Sequence, residues 1–247
     1  MLAAIRSEFR KLLTVRSTYA NVIICLVIVG LFAGYGSGFR ADPAGLHDPH
    51  YLASQSADAI VFVGLILAFV GLLLAGHEYR YNTIMYTLTA VNRRPKVLLA
   101  KFVVITVFAI AASLLMMFFS PLCTIVGAHL ADKHMVAQSF DFGSIIWRCL
   151  FCGWGYAMYA FVLILIMRNQ IGAIVTFLLI PLVGENILIQ LFKGIGNYVP
   201  FTALQAVVEP TGLGNHASSG HEALVVLVYV VIGLFVGTVL FVRRDAN

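Results

Sequence analysis

The chain has 247 residues, of which 61% are hydrophobic and only 11% charged, and its mean hydropathy is +0.95. A soluble domain is usually about half apolar and about one quarter charged, so this chain has too few charged side chains to cover a soluble surface. Its net charge of +5 comes from basic residues in short loops and at the two ends. That pattern indicates membrane topology, and no nucleic-acid partner is expected.

The chain starts with a basic amphipathic segment, residues 1–17, in which apolar residues recur at helical spacing. The pattern predicts an interfacial helix on the cytoplasmic leaflet, and a simple basic flank to the first span is the alternative. The apolar run that follows is longer than the core of a signal peptide and lacks a convincing cleavage site after it. We therefore interpret it as an uncleaved span.

Six apolar runs follow in chain order, each near the roughly 20 residues that cross a bilayer as a helix. The fourth and fifth runs are separated only by Arg168, Asn169 and Gln170, which predicts a tight hairpin of antiparallel neighbours. The runs cover about 18–36, 58–76, 99–122, 144–167, 171–192 and 222–242. The loops 37–57, 123–143 and 193–221 then share one side, and the last of them has room for short re-entrant or surface helices.

Basic residues are distributed unequally between the two sides. Twelve of the sixteen Lys and Arg residues share the side that carries both termini. The positive-inside rule places that side in the cytoplasm, which requires an even number of spans. The predicted fold class is an all-α membrane protein: one transmembrane domain over residues 1–247, with an N-terminal amphipathic interfacial helix, six transmembrane helices and both termini cytoplasmic.

The motifs of common catalytic and metal sites are absent. The sequence has no G-x-x-x-x-G-K-[ST] phosphate loop and no G-x-S-x-G nucleophile elbow. His77-Glu78 and His221-Glu222 lack the second histidine of a zinc motif, and Cys149 and Cys152 lie in an apolar run, which predicts small buried or lipid-facing residues. We predict no catalytic residue, no metal site and no cofactor in this chain.

Glycines recur four residues apart in two spans. Gly30, Gly34 and Gly38 do so in the first span, and Gly233 and Gly237 in the sixth. Small residues at this spacing allow two helix backbones to approach closely. The pattern predicts helix contacts within the subunit or between subunits.

The polar, basic loop between spans two and three is the most informative segment. Within it Ile84, Met85 and Leu88 recur at helical spacing, and Pro95 precedes the third span. The pattern predicts a short amphipathic helix at the cytoplasmic boundary. The residues alone leave two interpretations open: a rigid contact surface for a cytoplasmic partner, or a basic loop on lipid headgroups.

This loop contains E-x-R-x-x-T-I-x-x-x-L and then R-R-P-x-x-x-x-x-K, formed by Glu78, Arg80, Thr83, Ile84, Leu88, Arg93, Arg94, Pro95 and Lys101. The pattern resembles the first cytoplasmic loop of type-2 ABC transporter permeases, which have a glycine where this chain has Asn82. The resemblance covers nearly the whole chain in order. It includes SEFRKLLTVRS before span one, MRNQIGAI, YVPFTAL and the terminal Arg243-Arg244-Asp245.

The resemblance implies a multi-pass permease of the cell membrane that pairs with a second permease as a homodimer or heterodimer. Separate cytoplasmic ATPase subunits would bind ATP and Mg, and this chain would have no nucleotide site or enzyme activity of its own. The implied function is ATP-driven export of a hydrophobic or amphipathic molecule such as a drug, peptide or lipid. The implied coupling helix would contact the ATPase through Arg80, Thr83, Ile84, Met85, Leu88, Arg93 and Arg94.

Three polar residues at or within the spans are further candidates. Glu78 lies at the membrane end of span two, where it is expected either to pair with Arg10 or Lys11 or to be a solvated carboxylate. Glu185 and Asn186 follow Pro181 in span five. An uncompensated carboxylate is costly in a membrane, so Glu185 either packs within the folded outer half of the span or contacts the transported molecule.

Two other function classes remain open. A membrane anchor or sensor that recruits a cytoplasmic partner would use the same basic loop. An ion-coupled carrier is favoured by broken-helix repeats in two halves, and the sequence shows no such repeat.

Overall fold

The computed structural model describes residues 2–80, 94–138, 142–192, 194–208 and 219–243, and within these ranges it contains helices and no strand. We number the α-helices in chain order. They are α1 Leu2–Thr14, α2 Arg16–Val29, α3 Pro43–Leu46, α4 Tyr51–Arg80, α5 Arg94–Leu130, α6 Phe142–Met167, α7 Gln170–Leu179, α8 Glu185–Leu191, α9 Pro200–Val208 and α10 Ser219–Arg243. The π-helical segments Gly30–Phe39 and Ile180–Gly184 continue α2 and α7, and a 3-10 helix, Ile195–Tyr198, precedes α9.

Six helical segments are long and apolar enough to cross a membrane: Arg16–Phe39, Tyr51–Arg80, Pro95–Leu130, Ile145–Met167, Gln170–Leu191 and Gly220–Phe241. We call them spans one to six. The predicted class, an all-α membrane protein with six spans, is confirmed. The cytoplasmic location of the termini stays a prediction.

Two helices are longer than their apolar runs. The helix of span two begins at Tyr51 rather than near 58, and the helix of span three continues to Leu130 rather than ending near 122. Parts of the predicted loops 37–57 and 123–143 are therefore helical. Hydropathy detects the apolar length of a helix, whereas the backbone hydrogen bonds continue into polar sequence. The predicted loop 193–221 contains the short helix α9, as expected.

Span four lies at the centre of the bundle and is the most buried of the six. Its side chains Tyr156, Phe161 and Ile164 are inaccessible to solvent, and α4, α5 and α10 pack around it. Spans one, five and six are the least buried and expose large apolar side chains. These faces are apolar, so they are suited to contact with the hydrocarbon chains of the lipid.

The glycines of spans one and six make close helix contacts inside the subunit. A Cβ atom added at Gly38 would lie 2.5 Å from the Thr124 carbonyl oxygen, and one added at Gly127 would overlap the Gly34 carbonyl oxygen. In span six, a Cβ atom at Gly233 would lie 2.5 Å from Val162 Cγ1. Span one therefore packs on span three, and span six on span four, through backbone surfaces.

The hairpin between spans four and five is as tight as predicted. Asn169 caps α7, because its Oδ1 accepts hydrogen bonds from the backbone N–H groups of Ile171 and Gly172 at 3.0 and 3.1 Å. Arg168 adopts a positive φ of 52° and donates from Nη2 to the Leu240 carbonyl oxygen at 3.1 Å. This hydrogen bond connects the turn to the end of span six.

Candidate functional site

The helix α1 packs on the ends of spans two and three with its apolar face. Leu12 is buried together with Val70 of α4 and Val104 of α5, and Ile5 and Phe9 pack beside them. The predicted amphipathic helix therefore exists, and its apolar residues contact the bundle itself. Its exposed face carries Arg6 and Arg10.

Four charged residues join these three helices in a cluster, which we call the charge cluster: Glu8, Lys11, Glu78 and Lys101. Lys11 Nζ lies 2.6 Å from Glu8 Oε1 and 2.7 Å from Glu78 Oε1. Lys101 Nζ lies 2.8 Å from Glu8 Oε2 and 3.0 Å from Glu78 Oε1. Each ammonium group thus bridges both carboxylates, and each bridge connects two or three different helices.

Three of the four members are almost completely buried: Glu8 is 3% exposed, Glu78 6% and Lys101 4%. Buried charges cost free energy unless they are paired and hydrogen-bonded. Here two carboxylates face two ammonium groups, so the charge cluster is neutral. Burial alone would lower the pKa of Lys11, but its hydrogen bonds to Glu78 and Glu8 and their negative charges outweigh that effect and raise it. Lys11 therefore stays charged at neutral pH.

The expected pairing of Glu78 with the N-terminal helix is confirmed for Lys11. Arg10 is exposed on the other face of α1. The sequence motifs contain Glu8 and Lys101 but do not predict that these two residues pair with each other. No signal in a single chain connects residues 93 positions apart.

The charge cluster flanks the loop between spans two and three on both sides. Glu78 lies two residues before Arg80, the exposed last residue of α4, and Lys101 lies in the third turn of α5. Thr83, Ile84, Met85, Leu88 and Arg93 lie outside the described residues, as does the side chain of Arg94. The predicted coupling helix and its contacts therefore stay a prediction.

Glu185 has a different environment at the predicted outer end of the bundle. It is buried, and its Oε1 accepts a hydrogen bond from Phe201 N at 2.7 Å. Its Oε2 accepts from Thr202 N and Thr202 Oγ1, both at 2.8 Å. A carboxylate in this position satisfies unpaired N–H groups of α9 and interacts favourably with the helix dipole. This geometry favours the interpretation that Glu185 packs within the protein.

The helix that Glu185 caps is inserted between spans. The Phe201 ring contacts Tyr156, Tyr159 and Phe177, with ring centroids 5.9, 5.3 and 5.3 Å away. Asn186, by contrast, is exposed, and its Nδ2 donates to the carbonyl oxygens of Pro181 and Leu182 at 3.2 and 3.0 Å. It therefore supplies a donor to carbonyl groups in the π-helical segment of span five.

These features define a multi-pass helical membrane protein with an N-terminal helix fastened to the base of spans two and three. The family model described as ABC-2 family transporter protein matches residues 4–184. The chain therefore belongs to the ABC-2 transporter family and is a membrane subunit of an ABC transporter, a class without its own nucleotide-binding site. Permeases of this family generally work with ATPase subunits. A comparison with curated proteins finds no match.

Proposed function

We propose that the chain is the transmembrane subunit of an ATP-driven exporter and moves a hydrophobic or amphipathic molecule such as a drug, peptide or lipid. Cytoplasmic ATPase subunits would bind ATP and Mg and dock on the loop between spans two and three. A second permease, identical or different, would complete the translocation path. The observation that carries the proposal is the charge cluster, because it connects both flanks of the docking loop to α1.

The mechanism follows from how those helices are joined. A force applied to the loop reaches α4 through Arg80 and α5 through Arg94. Glu78 and Lys101 lie on these two helices and share both partners on α1. Separating any two of the three helices would expose or unpair a buried charge, which is costly. The three helices would therefore move as one unit when the ATPase subunits close.

The helix α4 can carry that motion across the bundle. It has 30 residues and is thus about 45 Å long at 1.5 Å per residue. It packs along span four for much of its length, including Gly64 against the ring of Tyr156. Displacement of its base would therefore tilt its outer end, where it borders span one.

The test is reconstitution. The chain is expressed with and without the ABC ATPase subunit encoded nearest to its gene, purified, and reconstituted in proteoliposomes. We expect a stable complex whose ATP hydrolysis depends on both proteins, and no hydrolysis by the isolated chain. Hydrolysis by the isolated chain would contradict the proposal. A stable complex in which the permease leaves hydrolysis unchanged and no cargo moves would identify a membrane anchor instead.

A further inference from the structure

A cavity of about 310 Å³ lies between spans one and two at the end of the bundle opposite the charge cluster. Val29, Phe32 and Phe62 give it apolar surface, and Ser37, Gln55 and Asp58 give it polar groups. This end is the predicted outer one, and Gln55 and Asp58 lie in the first turns of α4. The cavity therefore has apolar surface for the body of an amphipathic ligand and polar groups for its headgroup.

The walls of the cavity are held by contacts between helices. Tyr51 donates a hydrogen bond from its hydroxyl to the Ser37 carbonyl oxygen at 2.9 Å, and Ser120 donates to the Gln55 carbonyl oxygen at 3.3 Å. The span-one wall is the π-helical segment Gly30–Phe39, a geometry that often occurs at functional sites. At Gly36, an added Cβ atom would meet no atom within 4 Å, so the segment has an open face where the cavity lies.

The chemistry of the lining selects a positively charged ligand. Asp58 supplies a carboxylate, and the rings of Phe32 and Phe62, with centroids 5.9 Å apart, supply two aromatic faces. Carboxylates and aromatic faces both attract cations, including quaternary ammonium groups. The nearby cations have other contacts: Arg40 lies over the Tyr35 ring, and Lys133 donates to the carbonyl oxygens of Phe39 and Ala41.

We infer that this cavity binds an amphipathic organic cation, with an onium headgroup at Asp58 and an apolar body against Phe32 and Phe62. The inference rests on the proposed function in that it names the cargo class of the exporter. The same headgroup chemistry is present in a soluble cation and in a choline lipid.

Binding is measured on the purified permease in lipid nanodiscs, without ATPase or nucleotide, by equilibrium dialysis of radiolabelled tetraphenylphosphonium. Tetraphenylborate, which has the same shape and the opposite charge, is the ligand control. We expect saturable binding of the cation and none of the anion. Asp58→Asn should weaken cation binding about tenfold, the loss expected for one charge-assisted contact, whereas Asp58→Glu should bind nearly as well as the wild type.

A second variant tests the volume of the cavity. Gly36→Leu should abolish saturable binding, because its side chain enters open space that the ligand needs. Two matched controls should bind like the wild type. Gly184→Leu places the same side chain in the other π-helical segment, and Asp132→Asn removes a carboxylate from the turn after α5.

Nanodiscs of phosphatidylcholine and of digalactosyldiacylglycerol, neither of which has a net charge and only the first of which has an onium group, distinguish the two sources of the cation. A lower apparent affinity in phosphatidylcholine would assign the site to a lipid headgroup, and equal affinity would assign it to a soluble cation.

Unchanged binding in both Asp58→Asn and Gly36→Leu would overturn the inference. So would the absence of saturable binding to the wild type, as expected if a second permease covers the cavity. Loss of ATP coupling in reconstitution would instead count against the proposed function alone.

Discussion

Glu78, like Glu8, lies within 3.0 Å of both ammonium groups of the charge cluster. Substitution by glutamine would leave two lysines facing Glu8 alone, and the buried charges would no longer balance. Removing one partner of a buried ion pair costs about 3–5 kcal/mol. We expect Glu78→Gln to lower the thermal stability of the detergent-purified protein markedly, measured by its unfolding temperature.

We expect this loss of stability to depend on the imbalance of buried charge in the cluster, not on the absence of the Glu78 carboxylate as such. In the double variant Glu78→Gln/Lys101→Met the cluster is neutral again, so we expect it to recover a large part of the stability. Arg6→Gln, which removes an exposed charge from the same helix α1, is the control and should be nearly neutral. A Glu78→Gln protein as stable as the wild type would show that the cluster does not hold the three helices together.

Glu185 should stabilise the protein through α9. Its three hydrogen bonds reach two backbone N–H groups and one hydroxyl, and bonds to a charged acceptor contribute about 1.5–3 kcal/mol each. We expect Glu185→Ala to lower the unfolding temperature strongly and Glu185→Gln to lower it less. The control is Gln190→Ala, at an exposed position of α8, the helix that contains Glu185. If Glu185→Ala lowered transport without affecting stability, contact with the cargo would be the better interpretation.

The sequence shows which residues must have partners more clearly than which partners they have. A carboxylate at Glu78 or Glu185 in an apolar environment demands compensation, and this requirement is readable from one chain. Lys11 was a foreseeable partner because α1 must lie at the membrane surface. The contact between Glu8 and Lys101, and the capping of α9 by Glu185, depend on how distant segments meet, which local patterns do not specify.

At the scale of helices, the contact between spans one and three depends on missing side chains. A Cβ atom added to Gly127 would overlap the Gly34 carbonyl oxygen. We therefore expect Gly127→Ala to separate the two spans and to reduce both the yield of folded protein and its unfolding temperature. Gly36→Ala, on the open face of span one, is the matched control and should behave like the wild type. Equal behaviour of the two variants would contradict the packing.

Apolar runs and the basic loops predicted the number and order of the spans, because lipid requires long apolar helices whose backbone groups are paired internally. The π-helical segment Gly30–Phe39 was not predictable in the same way. Its glycines signalled a close contact, and the segment does pack on span three, but local sequence patterns do not specify a wider helical turn. The same reason accounts for the unforeseen cavity, which lies between that segment and α4.

At the scale of the whole molecule, the two candidate sites occupy opposite ends of one helix. Glu78 lies near the end of α4, and Asp58 lies in its third turn. The charge cluster fastens the first end to α1 and α5, while the second end borders the cavity. A single rigid element thus connects the proposed docking loop with the proposed binding site, and a tilt of α4 would change the gap between spans one and two.

This arrangement predicts that the docking loop can be disabled without damage to the fold. Arg93→Glu/Arg94→Glu changes two residues of the loop motif and none of the four residues that define the charge cluster, so we expect the unfolding temperature to stay nearly unchanged. Because acidic ATPase surfaces would now be repelled, we expect the double reversal to weaken co-purification of the ATPase and to abolish ATP-dependent transport.

Arg243→Glu/Arg244→Glu is the matched control for that experiment. It makes the same change in net charge at the C-terminal pair of basic residues, outside the loop sequence, and should retain the complex. Measurement of complex yield, ATP hydrolysis and transport on all three proteins separates docking from general charge effects. If both double reversals lose the ATPase equally, the basic surface acts as a whole; if neither does, the loop is not the docking element. The specific loss in Arg93→Glu/Arg94→Glu is expected because this loop is flanked on both sides by helices that share the charge cluster.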